Sequence, residues 1–305
     1  MNINNDYYLG NYIEQWEKII TPVPQFSENV KVLKIKYKEK ERKLMDIFRA
    51  VFLSKEISLR VYELTSLVIM FFPTNYVAWV LRRECLDKVK EIDPYQELLW
   101  LDDIMVENQK NYQIWHHRKL LIEKINDCSH EKIVLDSVFQ YEPKNFHAWT
   151  HRIWMIRRFN NVEGEFDFID KMLKNDIKNN SVWNFRFFLV QFINNNKLNK
   201  DIIEKEIKYA IKAIKEQPIN ECPYCYIRGY ITKFGYKYND FSFVKEELEK
   251  IVEKNENDSY RLMFLLDYYE EEKNENKFNE MIEKLIKIDY IRKNYYRWRK
   301  SNYKK

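Results

Sequence analysis

The sequence predicts an all-α protein, a right-handed superhelix (solenoid) of about seven helical hairpins. Three observations predict this fold class. Only 4 of the 305 residues are glycine, where average usage would give about 20. An aromatic residue recurs at intervals of 34 to 41 residues, and amphipathic stretches of helical period lie between these positions. Sandwiches, barrels and glycine-rich phosphate loops are disfavoured, because they need glycines that this chain does not have.

The composition indicates a protein of a reducing, aqueous compartment. No apolar run approaches the roughly 20 residues that a membrane helix needs, and the polar N-terminus has no signal-peptide core. Four cysteines do not make a disulfide framework, so we expect free thiols and a cytoplasmic location. The net charge of +5 comes from 52 basic and 47 acidic residues that are interspersed along most of the chain. No nucleic-acid partner is therefore expected.

The repeat keeps a fixed register around its aromatic residue. Each of five units has Asn four residues before the aromatic residue, and four units have Arg three residues after it. The five aromatic residues are Trp79, Trp115, Trp149, Trp183 and Tyr224. Asn predicts a helix start, because its side chain caps a free N–H group, and the Pro that precedes it in three units ends the previous helix. Each unit is predicted to be a hairpin that buries its apolar face against its neighbours.

Further helices are predicted from apolar periodicity on both sides of these units. The stretches are 39–53, 58–72, 260–271, 281–288 and 289–299. No linker divides the chain, so residues 31–305 are predicted to form a single helical-repeat domain. Residues 1–30 are predicted to form an irregular N-terminal arm that lies over the first hairpins.

The units of the form Asn-x-x-x-Trp-x-x-Arg resemble the repeats of protein prenyltransferase alpha subunits. Residues 110–118 (KNYQIWHHR) are very similar to the second-repeat motif of the family, and above all to the alpha subunit that farnesyltransferase and type I geranylgeranyltransferase share. Other parts of the chain also resemble this family. They are residues 22–25, 48–51, 144–152, 179–186 and 289–293. The resemblance therefore covers nearly the whole chain.

The resemblance implies a crescent that wraps a beta subunit. The heterodimer would transfer a farnesyl or geranylgeranyl group from its diphosphate to the cysteine of a C-terminal CaaX motif, in substrates such as small GTPases. Zinc and magnesium would serve the heterodimer, with the zinc ligands on the beta subunit and no metal held by this chain alone. The close pair Cys222 and Cys225 has no second Cys or His pair at ligand spacing, and both are expected to be buried thiols.

Six residues are candidates for the site. The resemblance assigns Lys110 to the diphosphate. The chemistry agrees with this assignment, because the growing negative charge of the leaving group needs a fixed cation and a helix start favours anions. The resemblance assigns Tyr112 to the catalytic wall beside Lys110, and Gln113 to the C-terminal carboxylate of the peptide. It assigns substrate-binding positions also to Tyr76, Asn145 and His147.

Other motif residues are predicted to be structural. Phe146 stands where the family commonly has Tyr, so aromatic packing without a hydroxyl is expected. The repeat arginines are expected to pair with carboxylates or helix-end carbonyls of the neighbouring hairpin. Three histidines that flank repeat tryptophans are expected to hydrogen-bond between helices. They are His116, His117 and His151. The basic segment 292–305 is predicted to be a solvated last helix.

Two other functions stay open. The Rab geranylgeranyltransferase alpha subunit shares the repeat, although the motif at residues 110–113 and the N-terminal similarity disfavour it. A non-catalytic helical-repeat scaffold for protein binding is the alternative from another class. A lysine present at one repeat only would favour the enzyme subunit, because a scaffold has no need for a diphosphate-binding lysine. However, Lys144 and Lys178 stand at the same register as Lys110 in two further units, which weakens this argument against a scaffold.

Overall fold

The computed structural model describes residues 6–25, 36–251 and 257–303, with the backbone alone at 6–8. The described residues form sixteen α-helices, two short 3₁₀ segments and no strand. The helices are α1 (Asp6–Glu17), α2 (Glu39–Ser54), α3 (Leu59–Phe71), α4 (Tyr76–Lys88), α5 (Pro94–Glu107), α6 (Tyr112–Ile125), α7 (Glu131–Tyr141), α8 (Phe146–Phe159), α9 (Glu165–Asn175), α10 (Asn180–Ile193), α11 (Lys200–Glu216), α12 (Glu221–Lys233), α13 (Ser242–Lys250), α14 (Ser259–Glu271), α15 (Glu275–Ile288) and α16 (Lys293–Asn302). Among the residues described, no helix is both long and apolar enough to span a bilayer.

The helices are grouped in two compact units, Met1–Phe159 and Asn160–Lys305. In the first unit, α1 packs on α2, and three hairpins follow as α3/α4, α5/α6 and α7/α8. In the second unit, the hairpins are α9/α10, α11/α12, α13/α14 and α15/α16. Seven hairpins in the described residues agree with the predicted number. A single domain over 31–305 stays a prediction.

The N-terminal arm contains a helix, so the prediction of an irregular arm was wrong. The apolar side chains of α1 are Leu9, Ile13 and Trp16, at spacings of four and three, and all three are buried. This spacing places them on one helical face, which packs against α2. Residues 1–5 and 26–30 of the predicted arm lie outside the described residues.

The repeat asparagine fastens a hairpin to the one before it. Oδ1 of Asn111 accepts the backbone N–H of Gln113 at 2.8 Å and caps α6, as predicted. Its Nδ2 donates to the carbonyl of Pro73 at 2.7 Å, and the same carbonyl accepts the indole N–H of Trp79 at 2.8 Å. The same two bonds are made further along the chain by Asn145 and Asn220. An aspartate can cap a helix but cannot donate, which explains why Asn recurs.

We expect Asn111→Asp to lower the free energy of unfolding by about 1–2 kcal/mol, because the cap survives while the donor to the Pro73 carbonyl is lost. The matched control is Asn199→Asp. Asn199 caps α11 at the exposed surface by accepting the N–H of Ile202 at 3.0 Å, and its change is expected to stay within about 0.5 kcal/mol. Urea denaturation of both variants measures the difference, and equal losses would contradict the proposed fastening role.

Three of the repeat arginines, Arg82, Arg118 and Arg186, are buried and bind glutamates of the next hairpin. Nε and Nη2 of Arg82 in α4 each donate to a carboxylate oxygen of Glu97 in α5, both at 2.6 Å. Nε2 of His117 in α6 lies 2.6 Å from Oε1 of the same Glu97, and the hydroxyl of Tyr62 donates to Oε2 at 2.5 Å. Arg82, Glu97 and His117 are each at most 1% exposed. Glu97 therefore joins its own hairpin to the preceding one.

A second cluster of the same kind follows one repeat later. Arg118 donates to Glu131 at 2.7 Å and to Asp102 at 2.5 Å, and Nε2 of His151 lies 2.5 Å from Glu131. Burial by itself would raise the pKa of Glu131, but hydrogen bonds from His151 and Arg118 hold it at about 2. In the second unit, the corresponding cluster consists of Arg186, Glu206 and Tyr226. The predicted structural roles of these arginines, and of His117 and His151, are confirmed. His116 is exposed, and the role predicted for it stays a prediction.

Candidate functional site

An open groove of about 770 Å³ lies in the first unit, where the turns that lead into α4, α6 and α8 come together. Thr74 lines it from the first turn, Lys110 from the second and Glu142 from the third. Its apolar lining includes Val106 and Tyr141, which are 70% and 79% exposed. Among the described residues that line the groove, Lys110 is the only cation.

Lys110 occupies the position immediately before the helix cap Asn111. Its side chain is 75% exposed, and its Nζ lies 2.8 Å from Oε1 of Glu142. An ion pair this exposed contributes little stability, so Nζ is free to exchange Glu142 for another anion. The start of α6 also provides backbone N–H groups that favour negative charge. The structure therefore places Lys110 where its predicted contact with a diphosphate is chemically reasonable.

Tyr112 and His147 form an aromatic cluster next to Lys110. Tyr112, the first residue of α6, is 69% exposed, and its ring meets that of His147 edge-on with centroids 4.3 Å apart. His147 also stacks on Trp115 at 6.4 Å. Burial lowers the pKa of His147, against a smaller opposing contribution from its hydrogen bond to the backbone of Lys110. A neutral imidazole is therefore favoured at pH 7, and it connects Tyr112 to the Lys110 turn.

Tyr76 is exposed at the surface, whereas the side-chain oxygen of Gln113 is buried. Tyr76 starts α4 as Tyr112 starts α6, and it is 61% exposed. Gln113 follows Tyr112 in the first turn of α6, and its buried Oε1 has no hydrogen-bond partner among the described residues. A buried amide oxygen without a donor is costly, so a donor from a bound molecule would be favourable here. The predicted contact of Gln113 with a carboxylate would use the amide nitrogen, because a carboxylate needs a donor.

Asn145 is placed in the fold as a structural residue. Its side chain is 2% exposed. Oδ1 accepts the N–H groups of His147 and Ala148 at 3.0 and 3.1 Å, and Nδ2 donates to the Gln109 carbonyl at 3.2 Å. Both polar atoms are therefore engaged within the chain, and a role toward a substrate stays a prediction. The neighbouring Phe146 is 67% exposed and packs edge-on against His147 at 5.6 Å.

Glu142, which pairs with Lys110, was not among the predicted site residues. The signal in the sequence is an acidic residue two positions before Lys144, in the turn that follows the Lys110 turn by one repeat. Lys110 and Glu142 are 32 residues apart in the sequence. Their pairing could not be predicted from this spacing, because the two residues meet only when one hairpin stacks on the next. Glu142 also provides the C-cap of α7.

Cys222 and Cys225 were predicted to be buried thiols, and this prediction was wrong. Cys225 is exposed and Cys222 is only half-buried, because the apolar face of this first turn of α12 is formed by Pro223 and Tyr224. Burial raises the pKa of the Cys222 thiol to about 11, which favours the neutral thiol. Within the described residues, no group of three or more His, Cys, Asp or Glu side chains is arranged to hold a metal ion.

Comparison with known proteins identifies the repeat. The family model for the protein prenyltransferase alpha subunit repeat matches residues 94–125, 129–159 and 162–193. The chain is 40% identical over 104 residues to the protein farnesyltransferase/geranylgeranyltransferase type-1 subunit alpha of Schizosaccharomyces pombe, covering 34% of this chain and 35% of the relative. The subunit of the same name from Candida albicans is 34% identical over 106 residues, which is 35% of each chain. The matched segments thus span about a third of these relatives.

A solved structure extends the similarity to the whole fold. One chain of Candida albicans protein geranylgeranyltransferase-I complexed with GGPP matches this chain with a TM-score of 0.85 at 29% identity. The match covers 93% of this chain and 97% of that chain. The predicted all-α fold of repeated helical hairpins is therefore confirmed.

Proposed function

We propose that this chain is a member of the protein prenyltransferase alpha-subunit repeat family and the alpha subunit of a heterodimeric protein prenyltransferase. The observation that carries the proposal is Lys110. It extends from the start of α6 over an open groove, beside the exposed Tyr112 and its partner His147. The similarity in fold to a chain of geranylgeranyltransferase-I supports the same assignment. Under this proposal the partner is the beta subunit of a farnesyltransferase, a type I geranylgeranyltransferase, or both.

In the proposed reaction, the thiolate sulfur of a deprotonated substrate cysteine forms a bond to C1 of the isoprenoid while the bond from C1 to the diphosphate oxygen breaks. Negative charge grows on the leaving diphosphate, and Lys110 together with the N–H groups at the start of α6 would stabilise it. Tyr112 would line the wall beside the reacting atoms. Zinc and magnesium enter the proposal through the resemblance alone, with the zinc ligands on the beta subunit.

The substrates follow from the same resemblance. We assign Tyr76 to the wall of the substrate cavity and Gln113 to the C-terminal carboxylate of a CaaX protein, such as a small GTPase. Asn145 and His147 would border the cavity, and for Asn145 this role would be indirect, because its polar atoms are engaged within the fold. The isoprenoid would be farnesyl or geranylgeranyl, and the reaction would take place in the cytoplasm.

Co-expression tests the proposal directly. We expect this chain to co-purify with its candidate beta subunit, and the complex to transfer a prenyl group from farnesyl or geranylgeranyl diphosphate to peptides that end in Cys-a-a-X. Either subunit alone should be inactive. A matched peptide with Ser in place of Cys is the control, because it removes only the attacking sulfur. If no beta subunit co-purifies and no transfer occurs, the enzyme assignment fails and a protein-binding scaffold is favoured instead.

A further inference from the structure

We infer that Glu142 is an internal counter-ion, which pairs with Lys110 when no ligand is bound and which weakens the binding of an incoming diphosphate. The inference rests on the proposed function and deepens it, since it concerns the same groove. Oε1 of Glu142 lies 2.8 Å from Nζ of Lys110. A carboxylate therefore already takes one of the three N–H donors of this ammonium group and places a negative charge beside it.

The fold holds Glu142 more firmly than it holds Lys110. Glu142 ends α7, where its backbone N–H donates to the carbonyl of Val138 at 2.9 Å and its carbonyl accepts the N–H of Asn145 at 3.0 Å. Its side chain is 33% exposed, whereas that of Lys110 is 75% exposed. A lysine stem is long and flexible. Lys110 is therefore the partner that moves when a ligand arrives, and Glu142 remains at the edge of the groove.

The charges that line the groove oppose a bound anion. The charged residues among its described lining are Glu107, Lys110 and Glu142, so two carboxylates accompany one ammonium group. Coulomb repulsion from a nearby carboxylate acts on every charge of a diphosphate. Holding Lys110 in one orientation saves only the conformational entropy of a single side chain. Glu142 is therefore expected to weaken diphosphate binding, and not to assist it by positioning Lys110.

The side chain of Glu142 can be changed without loss of the fold. Its ion pair with Lys110 is exposed, and such pairs contribute little stability. The capping hydrogen bond of Glu142 uses its backbone. Glu142→Gln keeps the shape of the side chain and removes its charge. A purely structural Glu142 predicts unchanged or weaker ligand binding in this variant, whereas an internal counter-ion predicts tighter binding.

Titration calorimetry of the heterodimer with geranylgeranyl diphosphate and with inorganic pyrophosphate tests the inference. Glu142→Gln is expected to lower the Kd for both ligands about five-fold at low salt, the scale that an exposed pair supports. The gain should shrink at high ionic strength. Glu107→Gln is the matched control, because it removes the same charge from the same groove but not from the partner of Lys110. Its effect should stay below about two-fold.

The possible results separate the inference from the proposed function. Prenyl transfer with no gain from Glu142→Gln, or with an equal gain from Glu107→Gln, would overturn the inference and leave the function standing. A selective gain in binding without any transfer would support the counter-ion and contradict the enzyme assignment. If neither the parent heterodimer nor the variants bind either ligand, both fail.

Discussion

Lys110→Ala is expected to slow prenyl transfer by the heterodimer about 100-fold, the scale seen when one fixed group that stabilises developing negative charge is removed. The physical reason is that Lys110 is the only cation among the described residues that line the groove, so this chain offers no second ammonium group there. Because the side chain is exposed, the fold and the assembly with the beta subunit should be unaffected. Single-turnover rates at saturating isoprenyl diphosphate measure the effect on the chemical step.

The matched control for this prediction is Lys144→Ala. Lys144 holds the same register position one repeat later, two residues before the first residue of α8, and it does not line the groove. Its rate should stay within about two-fold of the parent enzyme, as expected for a change away from the reacting atoms. Similar losses in both variants would show that lysines at this register act in a general structural way, and would remove the leaving-group role from Lys110.

Glu97→Ala is expected to lower the free energy of unfolding by about 3–5 kcal/mol, the range found when one partner of a buried ion pair is removed. Arg82, which is 1% exposed, would lose both of its 2.6 Å bonds to the carboxylate, and the buried His117 would lose its own. Burial alone would raise the pKa of Glu97, but Arg82 and His117 hold it below the usual value. Urea denaturation of the full chain measures the loss.

Two further variants separate this loss from the cost of any mutation in α5. Glu107→Ala changes an exposed glutamate at the end of the same helix and should stay within about 0.5 kcal/mol. The double variant Arg82→Met, Glu97→Leu removes both charges together, so it should lose clearly less than Glu97→Ala does. A double variant as unstable as the single variant would mean that packing, and not the unpaired Arg82 charge, causes the loss.

The repeated part of the fold was predictable because its signals are local. Asn111 and Trp115 lie four residues apart, so a cap and a buried side chain one turn later follow from the chain alone. The arginine three residues after the tryptophan indicated a pairing role, but its partner could not be chosen. Arg82 is followed by several acidic residues, including Glu84, Glu91 and Glu97. The stacking of hairpins, which no local pattern expresses, selects Glu97 among them.

The candidate site was predictable in part and for a different reason. Lys110 and Tyr112 came from a motif. The structure places Lys110 in the lining of the groove and Tyr112 against His147, and neither of these two rings lines the groove. The motif gave no indication that Asn145 would be buried with both polar atoms engaged, since its register is shared with asparagines that have no assigned ligand. Exposure of Cys225 was missed because CxxC spacing does not show which face of α12 packs on the core.

The clusters of arginine and glutamate also indicate where this chain tolerates a change of length. In four hairpins the buried glutamate precedes the repeat aromatic residue by 18 residues, whereas the distance from an aromatic residue to the next of these glutamates ranges from 16 to 23. The invariant block therefore runs from the first helix of a hairpin into its second, and the variation falls in the connections between hairpins. The segment 194–199, before α11, is such a connection. New sequence can be spliced in there while every block keeps its internal spacing.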